Sequence, residues 1–93
     1  MTVAPRAMLV TGGAGGIGSA IVRAFAAEGA KVAVDYNTSV GAAEALASEV
    51  GGVALQADLS DERAADRLIP ETVAELGALD VCVANAGRWP KDD

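Results

Sequence analysis

Residues 12–18 contain five glycines in seven positions and follow the apolar run of residues 8–10. Such a cluster loses much backbone entropy on folding, so it marks a place where another group approaches the main chain closely. Residues 13–18 read GAGGIG and fit the pattern G-x-G-x-x-G. If a helix begins here, its free N–H groups and partial positive charge suit the pyrophosphate of a dinucleotide. A lysine-containing phosphate loop does not fit, because Ser19-Ala20 follows the last glycine, and the remaining alternative is a turn without a ligand.

Two further polar residues follow apolar runs, Asp58 after VALQA and Asn85 within ANAG. Ligands of open α/β sheets bind outside the carboxyl ends of the strands, where these residues are expected. Asp58 could equally be a solvated acid at the end of a strand, and Asn85 could be a turn former. Both interpretations stay open from the residue types alone.

Composition excludes several other kinds of site. The chain has 93 residues, a net charge of -6, one cysteine and no histidine. A disulfide or a cysteine/histidine zinc site within one chain is therefore excluded, and Cys82 is expected to be an inert core thiol. The acidic charge argues against non-specific binding to nucleic acid or an anionic membrane. No membrane span or secretory signal is evident, so we expect a soluble cytoplasmic protein.

The elements that must position these residues follow from apolar periodicity. Short apolar runs that end in polar or turn-forming residues alternate with amphipathic segments along the whole chain. The predicted strands cover residues 8–11, 31–36, 53–58 and 79–87, the last range including the turn after the strand.

Three helices are predicted between the strands. The first covers residues 16–28, Thr38 or Ser39 caps the second, and Ser60 caps the third. Pro70 falls inside the third helix, where it removes a hydrogen bond. The apolar stripe keeps its phase across Pro70, so a kink is expected rather than two helices.

The resulting βαβαβαβ order predicts an α/β fold, a Rossmann-type doubly wound parallel sheet with helices on both faces. The expected strand order is 3-2-1-4, which places the turn after the fourth strand beside residues 12–18. Residues 1–93 are expected to form a single dinucleotide-binding domain.

Three motifs resemble those of the short-chain dehydrogenases/reductases. Residues 11–18, TGGAGGIG, match T-G-x-x-x-G-I-G; residues 58–60, DLS, resemble the acidic position after the third strand. Residues 84–87, ANAG, resemble N-N-A-G with alanine first. The glycine run also fits the extended branch of that family, but the NAG turn argues against it. The resemblance is nearest to the 3-oxoacyl-[acyl-carrier-protein] reductase-like group.

This resemblance implies a role for each motif in binding a nicotinamide dinucleotide. The N–H groups of residues 12–17 would hold the pyrophosphate, and Asp58 would accept a hydrogen bond from the adenine amino group. Asn85 would hold the fourth strand to its neighbours, and Ala86-Gly87 would pass close to the ribose of the cofactor. The positions implied to bind the cofactor are Gly12, Ala14, Gly15, Gly16, Ile17, Gly18, Tyr36, Asn37, Asp58, Leu59, Asn85, Ala86 and Gly87.

The preference between NAD and NADP depends on the end of the second strand, where an acid binds the ribose hydroxyls of NAD. The family's acidic position falls on Tyr36. Asp35 lies one residue earlier and should point to the other face of the sheet. Asn37 and the following hydroxyl residues could donate to a phosphate, and the stretch VDYNTS looks like the NADP-using reductases. NADP (NADPH) is therefore the expected cofactor.

Catalysis in this family requires a serine and a Tyr-x-x-x-Lys pair, and the chain has no such pair. Its one tyrosine, Tyr36, is followed four residues later by Val40. No catalytic residue and no metal ligand is predicted. The chain resembles the cofactor-binding N-terminal half of an oxidoreductase that acts on a carbonyl or alcohol, truncated before the catalytic half. The alternative is a non-catalytic dinucleotide-binding or interaction module, as a remnant or as one piece of a split enzyme.

The edge of the fourth predicted strand, DVCVAN at residues 80–85, is largely apolar and is expected to be left without its neighbouring strand. An edge strand of this kind invites pairing with another chain. We therefore expect a homo-oligomer or a complementing chain as partner, together with the dinucleotide and the small substrate of a complete enzyme.

Overall fold

The computed structural model describes residues 6–13 and 15–84, and strands alternate with helices throughout this part of the chain. The predicted order of elements is confirmed. The elements are β1 (Ala7–Thr11), α1 (Gly16–Ala27), β2 (Lys31–Tyr36), α2 (Val40–Val50), β3 (Val53–Gln56), α3 (Glu62–Leu76) and β4 (Val81–Ala84).

The four strands form one parallel sheet in the order β3-β2-β1-β4, as predicted. Leu9 of β1 pairs with Ala33 of β2 on one side and with Cys82 of β4 on the other. The hydroxyl of Thr11 also donates to the carbonyl of Val83, with an oxygen–oxygen distance of 3.3 Å. Because all strands run in one direction, the ends of β1, β2 and β3 meet at a common carboxyl edge.

The core occupies both faces of the sheet, since side chains alternate along each strand. One face packs Met8, Val10, Val32 and Val34 against Val22 of α1 and against Ala43 and Leu46 of α2. The opposite face packs Leu9, Ala33 and Ala57 against Ala64 and Leu68 of α3. The predicted placement of helices on both faces is therefore confirmed.

Glycine ends the helices where the chain must turn back toward the sheet. Gly29, Gly51 and Gly77 all have left-handed φ angles, of 97°, 70° and 84°. The next glycine, Gly52, is required for a different reason, since a Cβ there would clash with the carbonyl oxygen of Val32. Helix α3 continues through Pro70 as one element, so the expectation of a single helix is confirmed.

Several local predictions were wrong. The N-cap of α3 is Asp61, whose carboxylate accepts the N–H of Arg63, whereas Ser60 bonds Asp58 instead. Strand β3 ends at Gln56, two residues before the predicted end, because the chain turns at Asp58. Cys82 is exposed, since α3 packs over β2 and β3 and leaves this part of β4 open among the described residues.

Candidate functional site

The glycine-rich loop (residues 12–18) leaves the carboxyl end of β1 through a sharp turn. Gly12 has a φ of 64°, a left-handed conformation that glycine adopts without strain. The N–H of Gly13 donates to the carbonyl of Asp35, with a nitrogen–oxygen distance of 3.3 Å. A Cβ on Gly13 would lie 3.0 Å from Cγ1 of Val34 and 3.1 Å from the carbonyl oxygen of Val10. The base of the loop is therefore packed directly onto the sheet.

The other end of the loop is open where α1 begins. Gly15 is the N-cap, no side chain caps the helix, and its first turn contains no acidic residue. Gly15, Gly16 and Ile17 are exposed, and a Cβ on Gly16 would find nothing within 4 Å. Uncapped N–H groups, the positive end of the helix dipole and free space coincide here, which is the arrangement that binds an anion.

Asp58 lies beyond the end of β3 with its carboxylate held locally. Its Oδ1 accepts from Ser60 Oγ at 2.6 Å and from Ser60 N at 3.0 Å. These two hydrogen bonds hold the pKa of Asp58 below its usual value, so the group is ionised near neutral pH. The N–H of Ala57 donates to the carbonyl of Tyr36, which brings the ends of β2 and β3 together.

Tyr36 and Asp35 point to opposite faces at the end of β2, as the sequence predicts. Tyr36 is half-buried and packs against the cluster that contains Val34. Asn37 follows on the exposed surface, and its carbonyl accepts from the side-chain amide of Gln56 at 3.3 Å. The Asp35 carboxylate therefore does not reach the surface beside Tyr36 and Asn37.

The burial of the Asp35 carboxyl group is a feature that the sequence analysis did not predict. Its side chain is 3% exposed, and Oδ1 makes no hydrogen bond. Burial raises the pKa of Asp35 to about 6, although a hydrogen bond from the backbone of Gly12 lowers it in part. The sequence did contain a signal for this burial. Asp35 is an acidic residue on a predicted buried strand, one residue before Tyr36, where the ribose contact is expected.

The carboxyl edge brings the described candidate residues to one end of the sheet, at the ends of β1, β2 and β3. The predicted roles of Ala14, Asn85, Ala86 and Gly87 lie outside the described residues. In residues 6–13 and 15–84, no group of acidic, cysteine or histidine side chains could hold a metal ion. Across the same residues, no helix combines the length and the apolar character that crossing a membrane requires.

Comparison with known proteins assigns the family. The model of the short chain dehydrogenase family matches residues 6–93. The chain belongs to this family. Versicolorin reductase 1 of Aspergillus parasiticus is 43% identical in an alignment of 84 residues, and the match covers 85% of this chain and 32% of that protein. The chain therefore spans about a third of the length of the curated relatives it matches.

Solved structures of the short chain dehydrogenase family agree with the observed fold. A dehydrogenase/reductase from Sinorhizobium meliloti 1021 superposes with a TM-score of 0.86 at 41% identity, covering 95% of this chain and 37% of that one. BdcA, solved in complex with NADPH, has a TM-score of 0.78 at 40% identity, covering 89% of this chain and 32% of that one. The predicted family and the Rossmann-type fold are confirmed, and the roles of individual residues stay predictions.

Proposed function

We propose that residues 1–93 form the dinucleotide-binding domain of an NAD(P)-dependent oxidoreductase that acts on a carbonyl or alcohol substrate. The observation that carries this proposal is the open, uncapped N-terminus of α1 above a glycine-rich loop that is packed onto the sheet. A bound nicotinamide dinucleotide would supply the hydride donor or acceptor. Family membership and the fold support the proposal.

The residues of this chain bind and orient that dinucleotide. The N–H groups at the start of α1, around Gly16, hold the pyrophosphate, because no side chain caps this helix and its first residues are exposed. Asp58 accepts from the adenine amino group, with Leu59 beside it, and its lowered pKa keeps the acceptor ionised. The resemblance gives Asn85, Ala86 and Gly87 further roles, which lie outside the described residues.

NADP is the proposed cofactor in preference to NAD. Tyr36 occupies the position at which an acid would bind the ribose hydroxyls, and the nearest acid, Asp35, is buried on the opposite face. The exposed segment that begins at Asn37 carries hydroxyl and amide groups that can donate to a phosphate. BdcA, a neighbour of similar fold, was solved with NADPH, which supports the same choice.

Binding is tested by calorimetric titration of the chain with ADP-ribose. Gly16→Asp introduces a carboxylate where a side chain meets free space, so we expect a folded chain that no longer binds the pyrophosphate. Gly41→Asp is the matched control, since Gly41 is also helical and open but lies on α2. Equal affinity of the wild type and Gly16→Asp would contradict the proposed site.

Cofactor preference is tested by comparing ADP-ribose with its 2′-phosphorylated form. The wild type should bind the phosphorylated ligand more tightly. Tyr36→Asp should reverse the preference by repelling the phosphate, and Tyr36→Phe should keep it. Tighter binding of the unphosphorylated ligand by the wild type would favour NAD.

A second function stays open, a non-catalytic dinucleotide-binding or interaction module, either a remnant or one piece of a split enzyme. The 93 residues contain no Tyr-x-x-x-Lys, since Tyr36 is their one tyrosine, so these residues by themselves support binding rather than turnover. The reading frame that follows residue 93 distinguishes the two functions. A serine and a Tyr-x-x-x-Lys pair encoded there would support the oxidoreductase, and their absence from it would support the module.

A further inference from the structure

Asp35 lies at the end of β2, directly beneath the glycine-rich loop. Its carbonyl accepts the N–H of Gly13, and its side chain accepts a hydrogen bond from the backbone of Gly12. The side chain is 3% exposed, and Oδ1 makes no hydrogen bond. A carboxyl group with one unpartnered oxygen is therefore held under the first residues of the proposed pyrophosphate site.

The surroundings of Asp35 do little to stabilise a negative charge. Leu55 lies opposite Asp35 in the register of β2 and β3. Cys82 on β4 is on the same face. Although the residue is exposed, partial burial of its sulfur and the charge of Asp35 raise the pKa of the thiol, which stays neutral near neutral pH. The packed residues of this face are otherwise apolar, namely Leu9, Ala33, Ala57, Ala64 and Leu68.

An ionised Asp35 would oppose the ligand that the loop is built to hold. Two like charges about 10 Å apart, at the effective dielectric constant of a protein, change an equilibrium constant by a factor of roughly ten. Protonation removes this repulsion and still leaves one carboxyl oxygen to accept the N–H of Gly12. The loop thus keeps its support when the carboxyl group is neutral.

We propose that Asp35 determines the affinity of the glycine-rich loop for a dinucleotide, because its carboxyl group takes up a proton from solvent when a pyrophosphate binds above it. This inference rests on the proposed function. Asp35 does not touch the ligand in this proposal; it acts through the charge beneath the loop. A pKa of about 6 before binding places the protonation within reach of a neutral solution.

The direct test is proton uptake during titration of the full chain with ADP-ribose at pH 6.5, in two buffers of different ionisation enthalpy. The pyrophosphate of ADP-ribose does not titrate near this pH, and the chain contains no histidine. We expect uptake of a fraction of a proton by the wild type and none by Asp35→Asn. Asp66→Asn, which changes an exposed aspartate on α3, should keep the wild-type uptake.

Affinity at two pH values gives a second readout. The wild type should bind ADP-ribose about tenfold more weakly at pH 8 than at pH 5, because only the ionised carboxylate repels the ligand. Asp35→Asn mimics the neutral carboxyl, so its affinity should not depend on pH. At pH 8 it should bind about tenfold more tightly than the wild type.

The outcomes separate this inference from the proposed function. No binding by the wild type at either pH overturns both. Binding without proton uptake, with equal affinity in the wild type and Asp35→Asn, overturns the inference alone. If Asp35→Asn does not fold, as judged by circular dichroism, the absence of proton uptake by the wild type still overturns the inference.

Discussion

Gly13 lies against Val34 so closely that a Cβ on the glycine would be 3.0 Å from Cγ1 of the valine. Val34 is fully buried in the second strand, and the contact joins the glycine-rich loop to the core. The same Cβ would approach the carbonyl oxygen of Val10 to 3.1 Å. The loop geometry is thus fixed by packing beneath it as well as by the conformational freedom of glycine.

Gly13→Ala should destabilise the chain by about 1–3 kcal/mol, since an overpacked core must shift side chains or backbone. The free energy of unfolding in urea measures this change. Gly16→Ala is the matched control, because its Cβ meets open space and alanine is the better helix former. Equal stability of Gly13→Ala and the wild type would show that the contact with Val34 relaxes without cost.

Asp35→Asn should stabilise the chain at pH 8. The pKa of Asp35 is raised from 3.8 to about 6 in the folded state, so the folded state binds more protons than the unfolded state between these values. Stability contributed by Asp35 is therefore present below about pH 4 and is lost as pH rises through about 6. The loss is about 3 kcal/mol as an upper bound.

The measurement is the difference in unfolding free energy between Asp35→Asn and the wild type at pH 4 and pH 8. Taking the difference removes the contributions of the other acidic residues. The advantage of the variant should be larger at pH 8 than at pH 4. A difference that does not change with pH would contradict the raised pKa.

Asp61→Ala should cost about 1 kcal/mol of stability, because it removes the N-cap that accepts the N–H of Arg63. Ser60→Ala should cost less, since the hydroxyl of Ser60 bonds Asp58 and does not cap α3. Thermal unfolding of the two variants under identical conditions compares them. A larger loss for Ser60→Ala would restore the original prediction that Ser60 is the cap.

The chain of 93 residues should have no dehydrogenase activity, since its sequence contains no Tyr-x-x-x-Lys to serve as acid and base. The assay is oxidation of NADPH at 340 nm with a panel of aldehydes and ketones, using Gly16→Asp as the background. Turnover above that background would contradict the prediction.

Self-association through β4 is expected in solution. Among the described residues β4 pairs with β1 alone, and Val81 on this strand is 40% exposed. An uncharged edge strand offers unpaired backbone groups to another chain. Sedimentation at tens of micromolar under reducing conditions should detect dimers or larger species. Val81→Lys should shift them toward monomer, whereas a sharp wild-type monomer would show that the edge is protected.

The sequence by itself determined the order of the elements and the position of the glycine-rich loop. These depend on local signals, namely the alternation of apolar runs and the glycine cluster at a strand–helix junction. The opposite directions of Asp35 and Tyr36 were predictable for the same reason, since neighbouring side chains of a strand point to opposite faces. Local competition between caps was harder to predict, because Ser60 and Asp61 are both good N-cap residues.

Tertiary structure decided what surrounds each side chain. Asp35 is buried because its face of β2 is covered by α3, and its pKa is raised because few polar groups reach that face. Cys82 is exposed because the same helix stops short of β4. Burial and charge depend on residues that are distant in the sequence and meet only when the sheet has assembled. Periodicity along the chain therefore predicts which face of the sheet a side chain lies on, but not which residues pack over it.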